Sequence, residues 1–225
     1  MKDRFLIDDD LAAIVCTGLI EAAPVAVAPA AEPLLLEIET ACAALAREHA
    51  GKAPAAIEGL RPSRDLYRAF GIDPTRTRPS SEALLRRVLQ GKGMPRILNA
   101  VDLCNLCALR YLLSIGLYDA AAVRGAIRLR RGAPGEAYQG IRKDTVNLDG
   151  RPVLCDDDGP FGNPTSDSLR TSVTPATGSL LMVIFAPAAY GTERLERHVR
   201  DAADLMTRHL APPGAAVVTR TALVP

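Results

Sequence analysis

The unbroken apolar run from Leu180 to Ala186, set between Gly178-Ser179 and Pro187, constrains this chain more than any other stretch. A short run without polar alternation reads as a strand buried on both faces. Such a strand has no solvent side, so other layers must cover it above and below. Downstream, Leu195, Val199, Ala202, Met206 and Leu210 form a stripe at helical spacing, with Thr192 as the expected cap. Upstream, EPLLLEIETACAALAREHA places Leu34, Leu35, Ile38, Cys42, Leu45 and Ala46 on one helical face, opened by Pro33 and ended by Gly51.

The remaining segments mix both periodicities. Leu11 to Val27 reads as one or two strands, and the tail APPGAAVVTRTALVP as an edge strand. LRPSRDLYRAFGI is a short helix closed by Gly71. Ser80 is the expected cap of a helix that buries Leu84, Leu85, Val88 and Leu89, stops at Gly91 and leaves Arg86 and Arg87 facing out. Asp102 is the expected cap of the next helix, running to about Ser114. GAIRLRRG alternates as a half-exposed strand, and RPVLCDDDG is a strand ending in three carboxylates. Helices and strands without regular alternation give an α+β class. The expected division is a domain over residues 61–210, an N-terminal portion over 1–60 packed on it, and a tail over 211–225.

Charge is uneven. Residues 61–143 carry 16 basic and 6 acidic side chains, a balance of +10, against −6 before and −3 after, within a net charge of +1. A basic middle third points to a phosphate-bearing partner, or else to a solvated face. The acidic start MKDRFLIDDD does not read as a signal peptide, and charges and prolines interrupt the apolar region Leu11–Leu36, so neither secretion nor a membrane partner is expected. Five cysteines in such a chain suit reduced thiols and a cytoplasmic location.

Cys104 and Cys107 have metal-like spacing, but the other three cysteines are scattered, so core packing is the commoner reading and no metal is expected. His198 and His209 fall near one face of the last helix beside Arg194 and Arg208, which reads as a solvated face. No phosphate loop, dinucleotide fingerprint or nucleophile elbow occurs, and no cofactor is expected. Asp156-Asp157-Asp158 reads as an acidic turn or a site for a metal or a water. Asn99, Asp102 and Asn105 are polar residues spaced among apolar ones, and such a set braces a turn or lines a pocket.

Read in order, these motifs resemble a known family. Asn99-x-Val101-Asp102-x-x-Asn105, Tyr118-Asp119, Gly135-Glu136, NLDGRPVLCDDDG, and Thr171-x-Val173-x-x-x-Thr177 before SLLMVIF follow the order of the editing domain of the phenylalanyl-tRNA synthetase beta subunit. The entry YRAFGIDPTRTRPSSEALLRR, Tyr67 to Arg87, is similar to that of the domain's free-standing relatives. The resemblance covers roughly Arg64 to Leu210.

It implies a β-sandwich of unusual topology flanked by helices, and a pocket for the aminoacyl end of tRNA. The implied activity is hydrolysis of a mischarged aminoacyl ester by a positioned water, without amino-acid activation. On that resemblance, Glu136, Asp156, Asp158 and Thr171 are the catalytic candidates. Asn99, Asp102, Asn105, Asp119, Ser166, Asp167, Arg170 and Thr177 are the candidates for the pocket. Arg76, Arg78, Arg86, Arg87, Lys92 and Arg96 are the expected RNA contacts. No DNA partner is expected, and a monomer is favoured over an oligomer. The family's histidine falls on Gly116 and its glutamate near Leu169, which motivates a rival reading: a non-catalytic module binding tRNA, other RNA or an amino acid.

Overall fold

The computed structural model describes residues 2–141 and 145–225, so Arg142 and Lys143, the last two cations of the basic third, lie outside the described residues. In chain order the first half contains β1 (Phe5–Ile7), α1 (Asp9–Ala12), β2 (Val15–Ala23), α2 (Glu32–Glu48), α3 (Arg61–Ala69), α4 (Ser80–Leu89) and α5 (Asn99–Tyr111). The second half contains β3 (Ser114–Asp119), β4 (Ile127–Arg131), β5 (Ala137–Tyr138), β6 (Val146–Asn147), β7 (Pro152–Asp156) and β8 (Gly159–Gly162). It closes with β9 (Leu180–Pro187), α6 (Thr192–His209) and β10 (Val218–Val224).

The apolar run is β9, an inner strand of an antiparallel sheet ordered β10-β2-β9-β3. Alternate residues divide between two cores. Leu181, Val183 and Phe185 meet a second sheet, ordered β1-β4-β7-β8, through Ile127, Leu129, Leu154 and Phe161. Leu180, Met182 and Ile184 meet α5 and α6 through Leu103, Leu106, Leu195 and Val199. The absence of a polar alternation therefore has a direct cause: sheet lies on one side of β9 and helix on the other. The architecture is α+β, a two-sheet sandwich with helices on one outer face. The tail is an edge strand, since β10 pairs with β2 from Val218 opposite Ala23 to Val224 opposite Thr17.

Several local expectations are corrected by position. Pro79 and Gly191, not Ser80 and Thr192, occupy the cap positions of α4 and α6. Helix α5 starts at Asn99, and Asp102 instead turns back to accept a hydrogen bond from the backbone N–H of Ile97 at 2.9 Å. That helix stops at Tyr111 because Leu112 takes a left-handed conformation at φ 54°. His198 is not on a solvated face. Its ring stacks on Tyr111 at 4.2 Å, and its Nε2 lies 3.0 Å from the Tyr190 hydroxyl. Burial, with Arg194 nearby, pushes that imidazole down to about 4. His209 lies 2.9 Å from Glu37. Among the described residues, no helix is long and apolar enough to cross a membrane, and no group of three or more His, Cys, Asp or Glu is placed to hold a metal.

Candidate functional site

The entry helices set the site. Glu82, fully buried, takes both Nε and Nη2 of Arg64 at 2.7 and 2.9 Å, which ties α3 to α4. This fixes Tyr67, whose hydroxyl donates to the Pro164 carbonyl at 2.8 Å and lies 3.2 Å from Thr165 Oγ1. The segment Asn163–Asp167 is held in two further ways. Asn163 Oδ1 accepts the N–H groups of Thr165 and Ser166 at 2.7 and 2.8 Å. The Tyr138 hydroxyl donates to the Ser166 carbonyl.

So positioned, Asp167 lies against β3, the edge strand of its sheet. Its carboxylate accepts the Tyr118 hydroxyl at 2.7 Å and faces the backbone N–H groups of Leu117 and Asn163. Burial pushes this carboxyl up to about 7 although those three donors pull the other way. Tyr118 is fully buried and fills the notch between two glycines. A Cβ at Gly116 would stand 2.1 Å from its hydroxyl oxygen, and one at Gly162 would stand 2.2 Å away. The ring thus takes the space that a side chain at position 116 would need.

In front of Asp167 opens a cavity of about 470 Å³. Val101 and Cys104 of α5, Ile115 and Leu117 of β3, and Ile141 and Val173 form its apolar wall. Asp167 is the one carboxylate among its described lining residues. A wider groove of about 600 Å³ adjoins it, lined by Arg76, Arg78 and Arg87. The two share Ser80, Asn105 and Thr165, which therefore form a neck between basic groove and apolar cavity. Among the described residues, Ser80 Oγ is buried with no hydrogen-bond partner, and the Asn105 amide has none either.

The structure sorts the sequence-derived candidates. Asn105, Ser166 and Asp167 line the cavity, and Arg76, Arg78 and Arg87 line the groove. Asn99 and Asp102 brace rather than line. Asn99 Oδ1 accepts from Ala28 and Ala100 N–H, and its Nδ2 donates to the Ala26 carbonyl. Asp119 accepts the Thr177 hydroxyl at 2.9 Å and the Ala121 N–H at 3.0 Å, closing a turn.

None of the four catalytic candidates lines the cavity. Glu136 is clamped by Arg130 at 2.7 and 2.8 Å, which holds its carboxyl below the usual range. Asp156 is paired with Arg170 at 2.7 Å, Asp158 lies 3.8 Å from the same guanidinium, and Thr171 Oγ1 is 3.3 Å from the Phe161 carbonyl. Arg86 does not face out freely but lies 3.6 Å from Glu82. Arg96 pairs with Glu39 at 2.7 Å, and Lys92 is exposed.

Sequence reasoning misses Tyr118, Asn163 and Thr165 as site-forming residues, and it takes Ser80 for a cap. The RPSSE motif is the available signal for Ser80.

Comparison with known proteins identifies the family. The family model for the B3/4 domain matches residues 63–222. The phenylalanine–tRNA ligase beta subunit of Streptomyces avermitilis is 30% identical over 132 residues, which is 58% of this chain and 16% of that protein. The crystal structure of an N-terminal fragment of the phenylalanyl-tRNA synthetase beta subunit from Pyrococcus horikoshii aligns with 89% of this chain and 48% of that one, at 12% identity and a TM-score of 0.44. This chain therefore spans about a sixth of the curated relative and about half of the solved fragment. It belongs to the B3/4 domain family.

Proposed function

We propose that this B3/4 domain deacylates a mischarged tRNA in the cytoplasm, with the acceptor end in the basic groove and the amino-acid side chain in the apolar cavity. The observation that carries this reading is the neck. Ser80 and Asn105, without partners among the described residues, sit where a basic groove meets an apolar cavity, and an aminoacyl ester pairs a phosphate-bearing part with a side chain in the same order. The Asn105 amide is a neutral donor suited to the ester carbonyl, where negative charge develops as water adds to the acyl carbon. Collapse of the tetrahedral intermediate breaks the acyl–oxygen bond, and the ribose hydroxyl leaves with a proton. Apolar walls at the cavity select the side chain by fit.

Incubation with a panel of mischarged tRNAs tests the proposal. Accelerated loss of one or a few amino acids supports it, and unchanged rates across the panel overturn it. A second reading, a binding module without turnover, is favoured by one observation: the carboxylates expected to act on water are held by arginines. Salt-sensitive tRNA binding without deacylation would decide for the module.

A further inference from the structure

We propose that Asp167 is a specificity-determining residue that takes the free ammonium group of the aminoacyl moiety, so that the site accepts unblocked amino acids and rejects N-acylated ones. This rests on reading the cavity as an aminoacyl-ester pocket. A carboxylate offers about four acceptor positions. Tyr118 occupies one of them, the backbone N–H groups of Leu117 and Asn163 face the same carboxylate, and all three donors are neutral. Among the described residues this leaves acceptor capacity for a group arriving in the cavity that Asp167 lines.

Among the described residues the charge around it is unbalanced. The titratable groups that feel Asp167 are Tyr118 of β3, Tyr138 of β5, Cys104 of α5 and Tyr67 of α3. Among the described residues none of these is a cation. Glu136, Asp156 and Asp158, the three carboxylates named above as catalytic candidates, each have an arginine beside them. A buried carboxylate without a counter-charge is costly, which is why burial lifts this group to about 7. A ligand ammonium would supply the missing charge, and the apolar wall would cover the rest of the ligand. An N-acyl group removes both the charge and the space for that contact.

The linkage has a sign. An ammonium binds the ionised carboxylate, so affinity falls as pH drops below about 7, and binding there releases the Asp167 proton. Above about 8 the ligand amine itself loses its proton, and affinity falls again.

The test is calorimetry on the whole protein with L-leucinamide and L-phenylalaninamide and their N-acetyl forms, at about pH 5.5 and about pH 7.5 in two buffers of different ionisation enthalpy. Expected results are at least about tenfold weaker binding of the N-acetyl forms, from loss of one charge-assisted hydrogen bond. Proton release should accompany binding at the lower pH, and Asp167→Asn should lose both effects. Equal binding of blocked and unblocked amides, pH-independent affinity, or no binding of any amide overturns the proposal. The first two measurements use the unaltered protein, so they stand even if the variant folds poorly. Turnover of aminoacyl-tRNA and N-acetyl-aminoacyl-tRNA at equal rates would support the deacylase reading while overturning this one. Amine discrimination by the amides without any deacylation would do the reverse.

Discussion

Asp156 and Asp167 lie in one stretch of chain, both are partly buried, and they are held in opposite ways. Asp156 ends β7 and faces the Arg170 guanidinium through two contacts, with backbone N–H groups of Arg124 and Asp158 on the same carboxylate. Asp167 is held by a phenol and two backbone amides, with no cation among the described residues. The first is a fixed anion that joins loops. The second retains both an open acceptor position and a reason to bind a positive group. An acid's neighbours, more than its presence in an acidic cluster, decide whether it is available for function.

The largest expected effect is on a third acid of the paired kind. Removing Glu82 leaves Arg64 without its partner in a largely buried place, so Glu82→Ala should cost about 3–5 kcal/mol, a fall in Tm of roughly 6–20 °C. Replacing Arg64 and Glu82 together by leucines should recover part of that loss. Thermal melts of the single and double variants check this, and a double variant worse than the single would remove the idea of a structural pair.

The two aspartates should then respond with opposite signs. Asp156→Asn should cost about 1.5–3 kcal/mol at neutral pH by weakening a charged hydrogen-bond set. Asp167 binds its proton more tightly when folded, with about 7 against an ordinary value of 3.8. Stability therefore falls as pH rises between those values. Asp167→Asn should be neutral or stabilising near pH 7.5 and lose that advantage near pH 4, as read from Tm against pH. A parallel response from both variants would erase the contrast between them.

Gly116 sharpens the comparison at Asp167. Gly116→Ala forces a Cβ into the Tyr118 ring and should cost about 1–3 kcal/mol. The cost should shrink in a Tyr118→Ala background, and an unchanged cost in that double-mutant cycle would show that the ring is not the obstacle. The smallest effect on folding belongs to the groove. Arg78→Glu and Arg87→Glu should leave Tm nearly unchanged and weaken tRNA binding across sequences. Each should also reduce the salt slope of binding by about 1, since one phosphate fewer is then neutralised. Arg86→Glu, placed next to buried Glu82, should instead lower Tm.

Much of the fold is legible along the chain. β9 shows itself as an apolar run, α2 and α6 as stripes, and β4 as an alternation, because each depends on residues a few positions apart. Within the site, Asn105, Ser166 and Asp167 follow from the resemblance and Arg76, Arg78 and Arg87 from the basic middle third, and they do line the two openings. The acids at 136, 156 and 158 are equally visible and do not. Their arginine partners, Arg130 and Arg170, cannot be paired with them by periodicity.

By itself, then, the sequence determined the α+β class, most of the elements and the basic middle third, since local spacing, composition and charge decide those. Only the tertiary structure decided which polar groups reach a cavity. Arg64 must meet Glu82, Tyr67 must meet Pro164, and Tyr118 must cross two glycines before Asp167 is placed. The pair Arg64–Glu82 joins two helices, and Tyr67–Pro164 and Tyr118–Asp167 each join an element to one distant loop. Burial then sets the charge state that results, and neither is written in the order of neighbours along the chain.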